Sequence, residues 1–170
     1  MNVALIGVYL GRALLFALAV SAVWSLLRMA TRCGRKRERR REALLTLFVF
    51  YLAALVEIIA LRDLQAVDSS PQPVLLHTTL AQLDEGFGAF VYHTAGNLLW
   101  FVPLGLLVPR LWPQRRLGTV TALGLGLSLL VEACQYLLGT GVPDVDDLLL
   151  NTLGAMLGYG LHCLHRRLKR

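Results

Sequence analysis

Five apolar segments follow one another along the chain, and each is close to the length that crosses a lipid bilayer. They cover approximately residues 3–27, 43–61, 90–111, 117–138 and 148–164. A transmembrane helix needs about 20 mostly apolar residues, so these segments and their connections would occupy nearly the whole chain. The pattern predicts an all-α, polytopic membrane helix bundle with about five transmembrane helices. Residues 1–41 would form one helix and a basic loop, and residues 42–170 a four-helix domain.

The connections between the segments differ in charge. All but two of the 17 Lys and Arg residues lie in residues 28–42, 110–116 and 166–170, and the exceptions are Arg12 and Arg62. Because cytoplasmic loops of membrane proteins carry the excess of basic residues, we expect the N-terminus outside and the C-terminus in the cytoplasm. The basic loop is then a topology signal, and no nucleic-acid partner is predicted. Within the acidic outer connection, residues 74–83 could form an interfacial helix.

Composition supports a membrane protein and offers little conventional chemistry. Of the 170 residues, 56% are hydrophobic and 16% are charged, whereas soluble proteins carry about 25% charged residues. Arg12 is near enough to a segment end to reach the headgroups, and Glu57 could pair with Arg62. The three cysteines have no metal-binding or disulfide spacing, and neither a metal nor a cofactor is predicted.

The predicted orientation brings polar residues of three segments to one outer level. These residues are Asn97, Glu132, Gln135, Asp144, Asp147 and Asn151. Glu132 is the strongest functional candidate, because a carboxylate inside a span is costly unless it is neutralised or solvated. We expect Glu132 and Asp147 to be catalytic if the protein is an enzyme. Substrate binding would then involve Asn97, Gln135, Asp144, Asn151 and Arg62.

Structural interpretations of the same residues remain open. Asp144 could be the N-cap of the last helix, with Asp147 favoured by the helix dipole. Asn97 and Asn151 could be interhelical hydrogen-bond partners. Gly154 and Gly158 form a GxxxG pattern, which permits close helix packing, and His93 is expected to be interfacial rather than catalytic.

Two blocks of residues resemble a known family. Asn97-Leu-Leu-Trp-Phe-Val-Pro103-Leu-Gly105 is similar to the N-x-x-x-F-x-P-x-G signature of VanZ-like proteins. Glu132-x-x-Gln135, followed by D-x-D-D-x-x-x-N-x-x-G-x-x-x-G over residues 144–158, resembles a second block of that family. The resemblance covers roughly residues 42–170. It implies a multi-pass protein of the bacterial cytoplasmic membrane with a link to teicoplanin resistance.

The resemblance also has a departure. Many members carry an Arg shortly before the aspartates, where this chain has Gly141-Val142-Pro143. Arg62 is the candidate to supply that charge.

Three functional hypotheses fit these observations. The first is a cell-envelope factor that binds or modifies a membrane lipid or a lipid-linked cell-wall precursor. Glu132 would be a base or hydrogen-bond acceptor, and Asp144 and Asp147 would orient the substrate or hold a hard cation. The second is a small transporter or proton-coupled permease with Glu132 as the titrating group, although no inverted repeat is evident. The third is a non-catalytic accessory membrane protein. No Ser-His, Cys-His or HExxH spacing decides whether it is an enzyme, and the oligomeric state is open.

Overall fold

The computed structural model describes residues 3–29, 36–61, 72–138 and 142–169, and these residues confirm an all-α protein. Within them the chain forms six helices and no strand. The helices are α1 (Val3–Met29), α2 (Lys36–Leu61), α3 (His77–Glu85), α4 (Phe87–Leu111), α5 (Leu117–Leu138) and α6 (Val145–Leu168). The chain divides into two compact units, residues 1–62 and residues 63–170. The domain boundary predicted after residue 41 stays a prediction.

Among the described residues, three helices are long and apolar enough to cross a membrane. Their apolar stretches are Gly11–Arg28 in α1, Phe87–Leu111 in α4 and Leu117–Leu137 in α5. The structure therefore supports an integral membrane protein. Five crossings and the orientation of the termini stay predictions.

The first unit is an antiparallel pair of helices joined through alanines. Ala17 of α1 packs against Ala53 and Ala54 of α2, and Val20 and Phe50 flank this contact. Small side chains allow two helices to approach closely. Because all of these side chains are hydrophobic, the middle of the helix pair is apolar.

Ion pairs join both ends of this hairpin. Arg28 donates to both carboxylate oxygens of Glu42, at 2.8 and 2.9 Å, and Arg12 lies 4.0 Å from Glu57. Arg12 thus has an acidic partner besides the lipid headgroups that the sequence suggested. The basic segment was expected to be a loop as far as residue 42, but α2 already begins at Lys36. The suggested Glu57–Arg62 pair lies outside the described residues.

In the second unit, α6 packs against α4, which runs parallel to it, and against α5, which runs antiparallel to it. The carbonyl oxygen of Leu98 in α4 faces Gly154 in α6, and that of Val102 faces Gly158 one turn later. A Cβ atom at either glycine would collide with the carbonyl oxygen. The GxxxG pattern therefore marks a backbone-to-backbone contact, as the sequence predicted. The α5 helix runs in the opposite direction along another side of α6.

A short helix lies beside α4 and is connected to the start of α6. The sequence predicted an interfacial helix over residues 74–83, and α3 is found at His77–Glu85 with no buried side chain. Before α3 in the chain, the N–H of Gln72 donates to the carbonyl of Pro143 at 2.9 Å. The N–H of Val145 donates in turn to the carbonyl of Gln72 at 3.4 Å. The interfacial location stays a prediction.

Candidate functional site

The polar residues meet where α6 begins. Asp144 is the N-cap of α6, and its side chain accepts a hydrogen bond from the N–H of Asp146 at 2.8 Å. A side-chain oxygen in this position satisfies an N–H that the helix itself leaves unpaired. The N-cap interpretation of Asp144 is therefore confirmed.

Glu132 connects α5 to the same helix start. Its carboxylate accepts a hydrogen bond from the N–H of Asp144 at 3.0 Å. Both residues are buried, and an N–H next to a helix N-terminus is a favourable partner for a negative charge. The carboxylate in α5 thus holds the first turn of α6 in position, independently of any catalytic role.

Asp147 faces α4. Asn97 donates a side-chain hydrogen bond from Nδ2 to the Asp147 carboxylate, and Nε2 of His93 lies 3.6 Å from the same oxygen. This separation is longer than a normal hydrogen bond, and Nε2 of His93 has no hydrogen-bond partner among the described residues. The side chain of His93 is only 11% exposed, and its predicted place at the membrane interface stays a prediction. His93 is therefore part of the cluster, which sequence reasoning missed.

Asp146 holds α3. It is 1% exposed, and its two oxygens accept hydrogen bonds from the backbone N–H groups of Leu76 and Thr79, the second at 2.9 Å. Burial acts to raise the pKa of Asp146, but these N–H groups outweigh it, so the pKa lies below its usual range. Leu76 is the N-cap residue of α3 and has a left-handed φ of 64°. Its own side chain makes no capping hydrogen bond to that helix. A charged Asp146 thus caps a helix about 70 residues away in the chain.

A second hydrogen bond joins α5 and α6, about one turn of α5 away from the Glu132–Asp144 contact. Nδ2 of Asn151 donates to the hydroxyl of Ser128 at 2.9 Å, and both residues are buried. Gln135, nearer the end of α5, is 3% exposed. Its Oε1 atom is buried and has no hydrogen-bond partner among the described residues. Unpaired buried acceptors are uncommon in folded proteins and call for an explanation.

The structure therefore brings most of the predicted site residues together at the start of α6. Asn97 contacts Asp147, Glu132 contacts Asp144, and Asn151 contacts Ser128. Asn97 lies ten residues after the first residue of α4, Phe87. Arg62 lies outside the described residues, so its assignment stays a prediction.

Sequence reasoning did not identify two further members of the cluster. His93 is one helical turn before Asn97 on the same face, which was an available signal. Asp146 could have been suspected because one N-cap aspartate suffices for a helix and this segment has three. Among the described residues, no group of three or more His, Cys, Asp or Glu side chains is arranged to hold a metal ion.

Comparisons with known proteins cover most of this region. A family model described as VanZ/LLP1 matches residues 48–166. The protein named Protein VanZ from Enterococcus faecium is 34% identical over 77 residues, which is 44% of this chain and 48% of that protein. The match thus spans about half the length of the curated relative. No solved structure matches the chain.

Proposed function

Because this chain belongs to the VanZ/LLP1 family, we propose that it is a multi-pass protein of the bacterial cytoplasmic membrane that holds a lipid or a lipid-linked cell-wall precursor. The headgroup would bind at the polar cluster where α6 begins. Through this binding or a modification of the precursor, the protein would contribute to teicoplanin resistance. The link to teicoplanin derives from the family resemblance.

The proposal rests on two buried polar atoms in the cluster that have no hydrogen-bond partner among the described residues. Oε1 of Gln135 and Nε2 of His93 are buried without hydrogen-bond partners among the described residues. Burying a polar group without a partner costs about 1–3 kcal/mol. A headgroup with hydroxyl or amide N–H donors would pair with the Gln135 oxygen and remove this cost.

The cluster residues then divide by role. Asn151 is engaged with Ser128, and the side chain of Asp144 is engaged with the first turn of α6, so we assign both chiefly to positioning the site. Glu132 and Asp147 are the proposed acceptors or general bases for the bound headgroup. Asn97 would orient Asp147, and Arg62 stays a predicted contact for an anionic group.

Replacing Gln135 with Met tests the proposal most directly. Methionine has a similar shape and buries no unpaired oxygen, so we expect the melting temperature in detergent to be unchanged or higher. If Gln135 contacts a headgroup, the lipids identified by mass spectrometry after purification should nevertheless lose one species that wild type retains. A Met variant that keeps every co-purifying lipid and full teicoplanin resistance contradicts the proposal.

Glu132→Gln provides a second test, with Glu85→Gln as the matched control. The amide oxygen of glutamine can still accept the hydrogen bond from the N–H of Asp144, so we expect the protein to fold. The co-purifying lipid and teicoplanin resistance should both be reduced. The exposed Glu85 of α3 undergoes the same chemical change outside the cluster and should leave both unchanged.

The contact between His93 and Asp147 gives the transporter hypothesis a specific basis. An imidazole 3.6 Å from a carboxylate is a pair that can exchange a proton with a small movement. Proton flux in proteoliposomes that is lost in both the Asp147→Asn and the Glu132→Gln variants would support a proton-coupled permease. That result, with no bound lipid, would replace the headgroup proposal.

A further inference from the structure

The parallel contact of α4 and α6 continues toward the C-terminal ends of both helices. Leu98 faces Gly154 and Val102 faces Gly158. Since residues four apart lie on one helix face, the same register places His162 opposite Leu106 and Arg166 opposite Arg110. Both arginines lie in the last turns of their helices. Two positive side chains thus face one another at this end of the unit, with a histidine one turn inside.

His162 is enclosed by positive charge. It is 8% exposed, and Arg110, Arg166 and His165 all act electrostatically on it. Its Nδ1 atom is buried and has no hydrogen-bond partner among the described residues. Residues 98–131 and 148–169 contain no Asp or Glu, so neither these helices nor the 112–116 turn supplies a counter-charge here.

A purely structural explanation accounts for part of this arrangement. One guanidinium N–H of Arg110 donates to the carbonyl of Leu106 at 2.9 Å, and cations are favourable near helix C-termini. A guanidinium has five N–H donors, however, so this bond leaves most of its capacity for other partners. The helix dipole also does not explain an unpaired nitrogen in a buried imidazole. An anion between the two helix ends would account for both.

We propose that the C-terminal ends of α4 and α6 form a binding site for a phosphate group, held by Arg110, His162 and Arg166. Arginine is well suited to phosphate because its planar N–H groups form paired, charge-assisted hydrogen bonds. Basic pockets between membrane helices on the cytoplasmic side bind the headgroups of anionic lipids. The phosphate belongs either to an anionic phospholipid or to a free phosphate ion. The site lies away from the carboxylate cluster and does not depend on its function.

The test uses the full-length protein in nanodiscs of phosphatidylcholine with and without phosphatidylglycerol. Native mass spectrometry measures the lipids that stay bound. We expect wild type to prefer phosphatidylglycerol by about tenfold, the equivalent of one charge-assisted contact. Arg110→Gln and Arg166→Gln should each remove most of this preference. Arg167→Gln, a change of the neighbouring exposed arginine, should alter it by less than about twofold.

His162→Phe keeps an aromatic ring and removes both nitrogens, so it tests the site if an arginine variant does not fold. It should lower the preference for phosphatidylglycerol without lowering the melting temperature. Displacement of the lipid by millimolar inorganic phosphate identifies the free ion as the ligand, and retention of the lipid identifies the headgroup. Equal losses for Arg166→Gln and Arg167→Gln, or a wild-type protein that neither prefers phosphatidylglycerol nor binds millimolar inorganic phosphate, would overturn the proposal.

Discussion

The α6 helix contacts its two long neighbours by different means. Against the parallel helix α4, it presents Gly154 and Gly158, whose backbones touch the carbonyl groups of Leu98 and Val102. Against the antiparallel helix α5, it presents side chains, and Asn151 donates to the hydroxyl of Ser128. The first contact depends on the absence of a side chain. The second depends on the chemistry of a side chain.

This difference determines which substitutions are informative about function. At Gly154 and Gly158 any added atom meets the backbone of α4, which cannot rotate away, so a substitution at either glycine affects folding first. At the α5 contact a residue of equal size can replace the polar one. Effects on binding and on folding can therefore be separated at the hydrogen-bonded side chains but not at Gly154 and Gly158.

The largest effect is expected for Gly158→Ala. The new methyl group would meet the carbonyl oxygen of Val102 and, at 3.0 Å, the Cα atom of Gly105. Overpacking of this kind commonly costs about 1–3 kcal/mol, and we expect about 3 kcal/mol or more because both neighbours are backbone. Equilibrium unfolding in mixed micelles measures the loss.

Gly160→Ala is the matched control for this prediction. Gly160 lies two residues further along the same helix, and a Cβ atom there has nothing within 4 Å. Alanine has the higher helix propensity, so this variant should be at least as stable as wild type. Equal stability of the two variants would show that α4 and α6 do not pack through these glycines.

An intermediate effect is expected for Asp146→Asn, which tests how much the polar contact between α6 and α3 contributes to stability. The aspartate accepts two backbone hydrogen bonds from α3, whereas asparagine keeps one acceptor and presents an NH₂ group to the other N–H. We expect a cost of about 2 kcal/mol, within the range for a lost charge-assisted bond. Faster hydrogen exchange should be confined to residues 76–85.

Asp84→Asn is the corresponding control, because Asp84 is an exposed residue of α3 itself. It should leave hydrogen exchange unchanged. If Asp146→Asn accelerates exchange throughout α4 and α6 as well, Asp146 supports the whole unit and not α3 alone.

The glycine contact and the polar contacts also differed in how far the sequence could predict them. Gly154 and Gly158 are four residues apart in an apolar helix, so spacing alone indicated a close approach. Asp144 before an apolar run similarly indicated an N-cap. Both predictions depend on residues close together in the chain, and the structure confirmed them.

The function of Asp146 depends instead on residues distant in the chain. Its partners are two N–H groups of a helix that begins about 70 residues earlier, and no local pattern pairs them. Charge counting likewise predicted that polar residues of three segments share one level, but it could not show that His93 lies 3.6 Å from Asp147, because that contact depends on tertiary packing. The general position of the cluster was thus predictable, whereas its individual contacts were not.

The smallest effect is expected for Ser128→Ala. Ser128 is fully buried, and its loss removes one hydrogen bond and leaves Nδ2 of Asn151 without that partner. Hydrogen bonds between membrane helices contribute about 0.6 kcal/mol on average, so we expect a loss of about 1 kcal/mol in the same unfolding measurement. Thr121→Ala is the control on the same helix, because the Thr121 hydroxyl donates to the carbonyl of Leu117 within α5 itself at 3.0 Å. A loss for Ser128→Ala as large as that for Gly158→Ala would mean that the α5 contact is as intolerant as the α4 contact. Substitutions in the polar cluster would then report on folding, and lipid binding would have to be tested with the bound ligand itself.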